Sequence, residues 1–444
     1  MNPQHHLKRA VRWTLGHAVP RTAIASAARR GDVHSRLLVA STGADLPLEI
    51  FDEVRASGSF ARAKFAFVTA RQPVVRELLS SADVRAGVEF GAGSGPLGRL
   101  ASWSAPTVLG PLNTPSLLVI EPPDHTRMRK LVTRVFSARA VAGLRERTEQ
   151  IADELLDALE RRRAAGEVVD LVEAYCALLP VTVIAEVLGV PEHERERVLH
   201  YGTGAAPSLD LGLSWRRFQT VEDSLAAFDT WLDAHIELKR REPGEDLLTQ
   251  LVAARDDDGV ALTDRELKAT AGLVLAAGFE TTVNLLGNGI ALLHDHPDQL
   301  ALLRAQPEHW TTAVDEVLRL DPPVLMTGRT VVRDTEVAGT PIRRGSVVTA
   351  LLAAANRDPE VFEDPDAFRV DRANAGDHVS FSAGRHYCLG AALARMEGEV
   401  GLQRLFDRFP DLRLEPGAVR RPTRILRGFD VLPARIEPAR VPAP

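Results

Sequence analysis

The order of apolar and polar residues predicts a mainly helical chain with a few short strands. Helical periodicity is clear in six segments, at 47–58, 73–84, 138–163, 170–188, 191–202 and 215–241. A longer helical run follows Thr263 and extends to about His296, and Glu266 three residues after Thr263 predicts a capping box at its start. Strand-like runs lie at 65–70, 328–355 and 424–437. We therefore expect an α+β fold dominated by helices, with small β-sheets.

Two stretches rich in glycine, proline and serine interrupt this pattern, at 87–123 and 202–214. Neither stretch shows a strong period of its own. A loop as long as the first is usually functional or disordered in a compact domain. The second stretch joins two helical segments, so those helices and their loop could form a lid.

The composition is that of a globular protein, with 444 residues and 45% hydrophobic residues. A net charge of −6 argues against a nucleic-acid-binding protein. The two cysteines, Cys176 and Cys388, are too few for a disulfide framework and fit a reducing cytoplasm. No run of about 18 apolar residues occurs, and the N-terminus has no signal-peptide pattern, so no integral membrane segment is expected.

The first 30 residues are basic and contain no acidic residue before Asp32. Trp13, Leu15 and Val19 are interleaved with the basic residues. Such a segment can lie on a membrane surface, because its apolar face enters the lipid headgroups. It can equally be an N-terminal arm that packs on the body of the protein, and the sequence leaves both interpretations open.

One glycine-rich segment, FSAGRHYCLG, lies directly before a helical run and contains Cys388. A cysteine at a helix N-terminus is near the positive end of the helix dipole, which favours the thiolate, the form that binds a metal. Gly384 and Gly390 would let the backbone turn sharply and lie against a flat ligand. Phe381 could stack beside the sulfur, and His386 could point at a carboxylate. These residues alone leave open a free, buried cysteine before an ordinary helix.

Two pairs of polar residues are spaced to share one helix face. His125 and Arg129 are four residues apart, and two adjacent donors suit a ligand with a carboxylate, although an exposed basic helix has the same spacing. Glu316 and Arg319 are three residues apart. An exposed pair of this kind contributes little to stability. A buried pair needs further partners and would fix the local architecture.

The centre of the longest helical run reads LAAGFETTVN. Gly278 inside a helix costs about 0.5–1 kcal/mol relative to alanine, so it requires a reason. Either a flat ligand approaches the backbone there, or the helix widens beside Glu280 and Thr281, since hydroxyl side chains can bend a helix. A buried helix with a capped polar kink would have the same sequence.

Taken in order, these segments resemble the cytochrome P450 family. FSAGRHYCLG resembles the heme-binding loop F-G-x-G-x-H-x-C-x-G, with Ser382 in place of the first glycine, and AGFETT resembles the oxygen-binding signature. The pair His125 and Arg129 resembles the H-x-x-x-R motif of the C helix. The family completes its E-x-x-R motif with an arginine of the following meander, here Arg372. The resemblance covers about 46–436 and is to soluble bacterial members of the actinobacterial, mycobacterial type.

The resemblance implies a P450 fold, with heme b between the long central helix and the cysteine loop with its proximal helix. Cys388 would bind the iron, and Glu280 and Thr281 would be the catalytic residues that relay protons to bound dioxygen. The other expected cofactor contacts are His125, Arg129, Arg329, Phe381, Gly384, His386, Gly390, Ala277 and Gly278. The basic members of this set are expected to converge on the heme carboxylates. Glu316, Arg319 and Arg372 would form a structural network.

The expected organisation is a basic arm at 1–45, one catalytic domain at 46–436 and a tail at 437–444. The expected enzyme is a cytoplasmic monooxygenase that hydroxylates or epoxidises an apolar small molecule with O2, such as a polyketide, a fatty acyl chain or a terpenoid. No reductase segment follows the cysteine loop, so ferredoxin and ferredoxin reductase would supply electrons. Candidate docking residues are Arg127, Lys130, Arg134 and Arg385. Candidate substrate contacts are Trp103, Leu109, Leu112 and Phe429.

Two alternative functions are a peroxide-driven heme-thiolate peroxygenase and a non-catalytic heme sensor. Peroxide-driven members tend to lack the relay that Glu280 and Thr281 would form, which argues against the first. No DNA-binding or signalling segment is visible to support the second.

Overall fold

The computed structural model describes residues 3–43, 45–88, 95–106, 108, 110–135, 138–164 and 167–436. Most of these residues are helical. In chain order, the helices are α1 (Pro3–Trp13), α2 (Val19–Arg29), α3 (Val33–Ala40), α4 (Leu48–Ala56), α5 (Gln72–Ser80), α6 (Pro96–Ser104), α7 (Asp124–Val135), α8 (Ala138–Ala164), α9 (Leu178–Val187), α10 (Arg195–Ala205), α11 (Trp215–Arg241), α12 (Leu247–Ala253), α13 (Asp264–Asp295), α14 (Pro297–Ala305), α15 (Trp310–Leu320), α16 (Leu352–Ala355) and α17 (Ala391–Arg408). Two π-helical turns, Thr14–Ala18 and Val172–Cys176, interrupt the α-helices.

The strands are short and form small sheets. They are β1 (Ala61–Arg62), β2 (Phe67–Thr69), β3 (Val84–Ala86), β4 (Val168–Asp170), β5 (Met326–Val331), β6 (Thr335–Val337), β7 (Thr340–Ile342), β8 (Val347–Leu351), β9 (Arg413–Leu414), β10 (Val419–Arg420), β11 (Phe429–Val431) and β12 (Pro433–Arg435). The largest sheet has the order β1-β2-β8-β5-β3, in which only β2 and β8 are parallel. The predicted class, mainly α with small β-sheets, is confirmed.

Helix α13 lies at the centre of the main hydrophobic core. It begins at the predicted capping box, in which the Glu266 N–H donates to Thr263 Oγ1 and the Thr263 N–H donates to Glu266 Oε2 at 2.9 Å. In the described part of the chain it is the one helix long and apolar enough to cross a membrane, but 61% of its most apolar window is buried inside the protein. The apolar character of α13 is therefore explained by its position in the core.

The structure gives Gly278 a different reason from the two offered by the sequence. A β-carbon at Gly278 would lie 3.0 Å from Cγ1 of Ile184, so the glycine lets α9 pack closely against α13. The helix is also continuous here, without local widening. The hydroxyl groups of Thr281 and Thr282 donate to the carbonyl oxygens of Ala277 and Gly278 at 2.8 and 3.0 Å.

The segment 87–123, expected to be an irregular loop, contains α6. Pro96 near the start of α6 has no N–H to leave unpaired, which suits the first turn of a helix. Trp103 and Leu112 in this segment remain 40% and 47% exposed, whereas Leu109 lies outside the described residues. The expectation of a fully irregular segment is therefore wrong at α6.

The N-terminal helices pack on the body of the protein, which agrees with the second interpretation of the basic arm. The buried Arg9 and the Arg12 side chain both pair with Glu222 of α11. Arg12 also donates to the carbonyl oxygen of Ser104 in α6 at 2.6 Å. The Trp13 indole N–H donates to the Leu213 carbonyl at 3.0 Å. The arm thus joins α6 to α11.

Candidate functional site

The cysteine loop is held between the start of α17 and a buried phenylalanine. The Cys388 N–H donates to the Phe381 carbonyl oxygen at 2.9 Å, and Gly390 is the N-cap residue of α17. The guanidinium carbon of Arg395 lies 4.6 Å from the centroid of the Phe381 ring. This arrangement holds the Cys388 backbone two residues before the N-cap of α17 and bonded to the Phe381 backbone.

The protonation of Cys388 differs from the sequence-based expectation. Burial raises the pKa of the thiol, and the backbone N–H of Gly390 and the charges of Arg129 and Arg395 lower it by less. In the protein alone, burial therefore outweighs the favourable helix terminus. A bound metal cation would reverse this balance, because it stabilises the thiolate and the coordinating thiol releases its proton to solvent.

Two positions of the cysteine loop have left-handed backbone. Gly384 has a φ of +66°, and a β-carbon there would lie 2.7 Å from the Leu79 carbonyl oxygen at the end of α5. The loop therefore requires this glycine for its turn and for its approach to α5. Ser382, which replaces a glycine of the family pattern, has a φ of 65° and adopts the conformation that glycine adopts more easily.

Four predicted basic residues lie around the cysteine loop. The rings of His125 and His386 are in contact, with centroids 4.6 Å apart. Arg129 donates from Nη2 to the Tyr387 carbonyl at 2.7 Å. Arg329 is 3.5 Å from Ser382 Oγ and donates to Thr327 Oγ1 at 2.8 Å. His125 and Arg329 are buried, Arg129 is half-buried, and the side chain of His386 is 8% exposed.

This basic cluster lacks a full complement of anions among the described residues. Nε2 of His125 is buried without a hydrogen-bond partner. The hydrogen bonds of the buried Arg329 go to neutral oxygens, and burial lowers its pKa to about 10. Burial, together with the charges of His386 and Arg129, lowers the pKa of His125 to about 4. The buried Arg329 cation needs an anionic partner and the neutral His125 needs a hydrogen-bond partner at Nε2, so the cluster fits the two carboxylates of heme.

Glu121 is a member of this cluster that the sequence analysis missed. Its carboxylate accepts from Arg385 Nη1 at 2.8 Å, from the Ala86 N–H at 2.9 Å and from His386 Nε2 at 3.2 Å. Burial acts to raise the pKa of Glu121, but the bonds from His386 and Ala86 lower it overall. Its position just before the prolines that precede α7, four residues before His125, was the available signal.

The middle of α13 presents different residues in different directions. Ala277 is exposed and Thr281 half-buried, one turn apart on a helix that is otherwise mostly buried there. Glu280 is 4% exposed and forms an ion pair with Arg421. Ala277 and Thr281 therefore lie on one exposed face of α13, whereas the Glu280 carboxylate is directed toward Arg421 in the C-terminal segment.

Glu316, Arg319 and Arg372 form one buried network. Glu316 accepts from Arg319 Nε at 2.7 Å and Nη2 at 2.9 Å, and from Arg372 Nε at 3.1 Å. The remaining guanidinium N–H groups donate to backbone carbonyls of the meander, among them that of Ala367. The partners that a buried pair requires are therefore present.

The proposed docking residues are less free than expected. Arg127 pairs with Glu266, Lys130 with Asp257 and Arg385 with Glu121. The side chain of Arg134 lies outside the described part of the structure. Much of the positive charge along α7 is thus balanced within the protein.

Comparison with known proteins identifies the family. The family model described as cytochrome P450 matches residues 211–433. A protein of Mycobacterium tuberculosis named cytochrome P450 140 is 50% identical over 437 residues, which is 98% of this chain and 99% of that protein. The chain belongs to the cytochrome P450 family. The 6-deoxyerythronolide B hydroxylase of Saccharopolyspora erythraea is 42% identical over 71% of this P450 and 77% of its own length.

Solved structures agree on the P450 fold. P450BioI, in complex with an acyl carrier protein carrying hexadec-9Z-enoic acid, superposes with a TM-score of 0.79 at 29% identity, covering 88% of this P450 and 98% of that chain. Epothilone D-bound P450epoK gives a TM-score of 0.78 at 29% identity, covering 88% and 96%. This P450 is therefore a monooxygenase of a family that binds heme and uses O2 and small-molecule substrates.

Proposed function

We propose that this P450 holds heme b with Cys388 as the iron ligand and inserts one oxygen atom from O2 into an apolar organic substrate. The observation that carries the proposal is the buried basic cluster beside Cys388, in which His125 and Arg329 lack an anionic partner among the described residues. The carboxylates of heme b would supply that partner. Arg129 and His386 would complete the contacts.

The residues of this chain have separate tasks in the proposed reaction. Heme, when bound, supplies the binding and activation of dioxygen. Cys388 would hold the iron as a thiolate, and the backbone N–H of Gly390 would temper the charge on its sulfur. Thr281, on the exposed face of α13, would hold a proton at Oγ1, and Glu280 would replace that proton from the protein side. Ala277 leaves space beside Thr281 because its side chain is a single methyl group.

We propose an apolar substrate such as a polyketide, a fatty acyl chain or a terpenoid. The exposed Trp103 and Leu112 around α6 support an apolar contact surface. The names of the similar proteins mention 6-deoxyerythronolide B, hexadec-9Z-enoic acid on an acyl carrier protein and epothilone D. Phe429 is a weaker substrate candidate than the sequence suggested, since it is 7% exposed and its ring lies 3.7 Å from the guanidinium carbon of Arg420.

We propose that a ferredoxin, reduced by a ferredoxin reductase, supplies the electrons. A cleft of about 410 Å³ beside the cysteine loop is lined by Arg76, Tyr387 and Arg395 and supports docking at that surface. We prefer this cleft to α7 because it borders the cysteine loop. Arg127 and Lys130 of α7 are paired with Glu266 and Asp257, and Arg395 of the cleft is likewise paired with Asp315. Two free cysteines support a cytoplasmic location. We also propose that residues 46–436 form one catalytic domain.

The test compares the two cysteines. In Cys388→Ser, the absorption band typical of a thiolate-bound reduced carbonyl complex should disappear, whereas Cys176→Ser should retain it, because Cys176 is fully buried in the core. Wild type supplied with an apolar substrate that shifts its heme spectrum, NAD(P)H, reductase, ferredoxin and labelled dioxygen should place one labelled oxygen atom in that substrate and the other in water. Product from peroxide alone would indicate the peroxygenase, and no product from either source would indicate the sensor.

A further inference from the structure

A stripe of buried polar side chains runs along one face of α13. Glu280, Asn284 and Asn288 are spaced four residues apart, so they share this face. They are 4%, 0% and 0% exposed. The stripe faces the C-terminal hairpin, which we define as residues 419–431. A side chain at Gly428 of this hairpin would collide with the Asn284 amide, so the contact is close.

Arg421 of the C-terminal hairpin connects this stripe to the surface. Its Nη1 donates to Glu280 Oε1, its Nε donates to the Phe429 carbonyl at 3.0 Å, and Nε lies 3.2 Å from Asp430 Oδ1. The side chain of Arg421 is 11% exposed, whereas that of Asp430 is 49% exposed. One arginine therefore links a buried carboxylate of α13 to a carboxylate in contact with solvent.

The stripe is fully bonded at one end and incomplete at the other. The Asn288 amide donates to the Asp321 carbonyl at 2.9 Å and accepts from Arg420 at 2.6 Å. By contrast, Glu280 Oε2 and both polar atoms of the Asn284 amide are buried without a partner. Buried polar groups in folded proteins are almost always hydrogen-bonded, and ordered water supplies the bond where protein atoms do not. The incomplete end includes Glu280, the residue that precedes Thr281 in the sequence.

We propose that Arg421 is a positioning residue for oxygen activation, and that Glu280 Oε2 and the Asn284 amide bind the water through which protons reach Thr281. The proposal rests on the proposed monooxygenase function. Arg421 holds one oxygen of Glu280 and so fixes the direction of the other. The arginine itself transfers no proton, because a guanidinium group stays charged.

The charged surroundings of Glu280 agree with this role. Arg421 is the cation that contacts it, and Asp430 lies on the far side of that guanidinium. Cys176, in the π-helical turn packed against α13, is the neighbouring titratable group. Burial raises the pKa of the Cys176 thiol, followed by the charge of Asp170, so Cys176 stays neutral. Arg421 is thus the positive charge that faces the Glu280 carboxylate.

The test uses substitutions of Arg421 in the holoenzyme with its electron donors. In Arg421→Gln, product per NAD(P)H should fall by about tenfold or more and peroxide should rise, since proton relays contribute about 10²–10⁴-fold to rate. Spectral affinity for substrate should stay within about threefold of wild type. Arg421→Lys should restore part of the coupling. The control is Arg420→Gln, which removes a neighbouring buried arginine that bonds Asn288 and Asp321 instead of Glu280 and should leave the coupling unchanged.

A second measurement does not depend on turnover. Infrared difference spectra against Glu280→Gln should show an ionised carboxylate in the resting wild type and a protonated one in Arg421→Gln, because a buried carboxylate without its cation takes up a proton. An ionised Glu280 in Arg421→Gln, or wild-type coupling in that variant, would overturn the inference alone. Losses that multiply in the Glu280→Gln, Arg421→Gln double variant would also overturn it, because residues of one relay are not additive. A wild type that forms no product from O2 overturns the proposed function, and this inference with it.

Discussion

We predict that Glu316→Gln lowers the free energy of unfolding by about 3–5 kcal/mol, the usual effect of removing one partner from a buried ion pair. In the structure, one carboxylate accepts from the Arg319 side chain, the Arg372 side chain and the backbone N–H of Arg369. Arg319 is 0% exposed and Arg372 is 4% exposed. A neutral amide leaves both guanidinium charges buried without a counter-charge, and its NH2 group faces a donor.

This loss is large compared with the whole stability of a typical domain, which is about 5–15 kcal/mol. Since about 1.4 kcal/mol corresponds to a tenfold change in an equilibrium constant, the unfolded fraction should rise by roughly 10²–10³ or more. The assay is urea unfolding, followed by the fluorescence of the five tryptophans and by circular dichroism. Coincident transitions allow the midpoint shift to be converted into free energy.

The control is Glu53→Gln, which removes the exposed pair between Arg36 and Glu53. Their charged atoms are 2.8 Å apart, but the side chains are 38% and 45% exposed. Exposed pairs contribute about 0–1 kcal/mol. If Glu316→Gln unfolds within about 1 kcal/mol of wild type, as the control should, the reasoning from buried charge is refuted.

Three further predictions follow from the site. Gly384→Ala should lower the free energy of unfolding by about 1–3 kcal/mol through its left-handed backbone alone. Its β-carbon would also meet the Leu79 carbonyl, so the variant should retain less heme. Unchanged heme content and an unchanged urea midpoint would contradict this prediction. The cofactor-free protein should lose stability as pH falls from about 6.5 toward about 4, because the unfolded chain takes up a proton that the buried His125 resists; urea titrations across this window should show less slope in His125→Gln or with heme bound. Thr281→Ala should keep substrate affinity and reduction near wild type while electrons go to peroxide, and the rate of product formation should fall by about 10²–10⁴-fold. The assay measures product, peroxide and NAD(P)H consumption together, and normal coupling in the variant would contradict the prediction.

The sequence predicted features that depend on neighbouring residues. The capping box at Thr263 and Glu266 fixed the start of α13, because both bonds form within one turn. Turn residues such as Gly339 and Gly345 predicted where the strands between 328 and 355 are separated, and both glycines have the positive φ values of such turns. The spacing of His125 and Arg129 predicted that they share one helix face. The order of the motifs along the chain then predicted that the basic residues lie around Cys388.

The features that were missed depend on residues far apart in the sequence. The partner of Gly278 is Ile184, and the partner of Glu280 is Arg421, 141 residues away. No local pattern connects such residues, so the sequence explained Gly278 by a flat ligand or a widened helix and linked Glu280 only to Thr281. The raised pKa of the Cys388 thiol was also not predictable from the sequence, because the degree of burial is a property of the whole fold.

The packing of the N-terminal arm also affects the order in which the chain folds during synthesis. Arg12 reaches Glu222, which is 210 residues later in the sequence. At a ribosomal rate of about 5–20 residues per second, roughly 10–40 s pass between the synthesis of the two residues. Throughout that interval α1 has been made but its acidic partner has not. Helix α1 can therefore contact α6 early, but its ion pairs with Glu222 form only after α11 has been made.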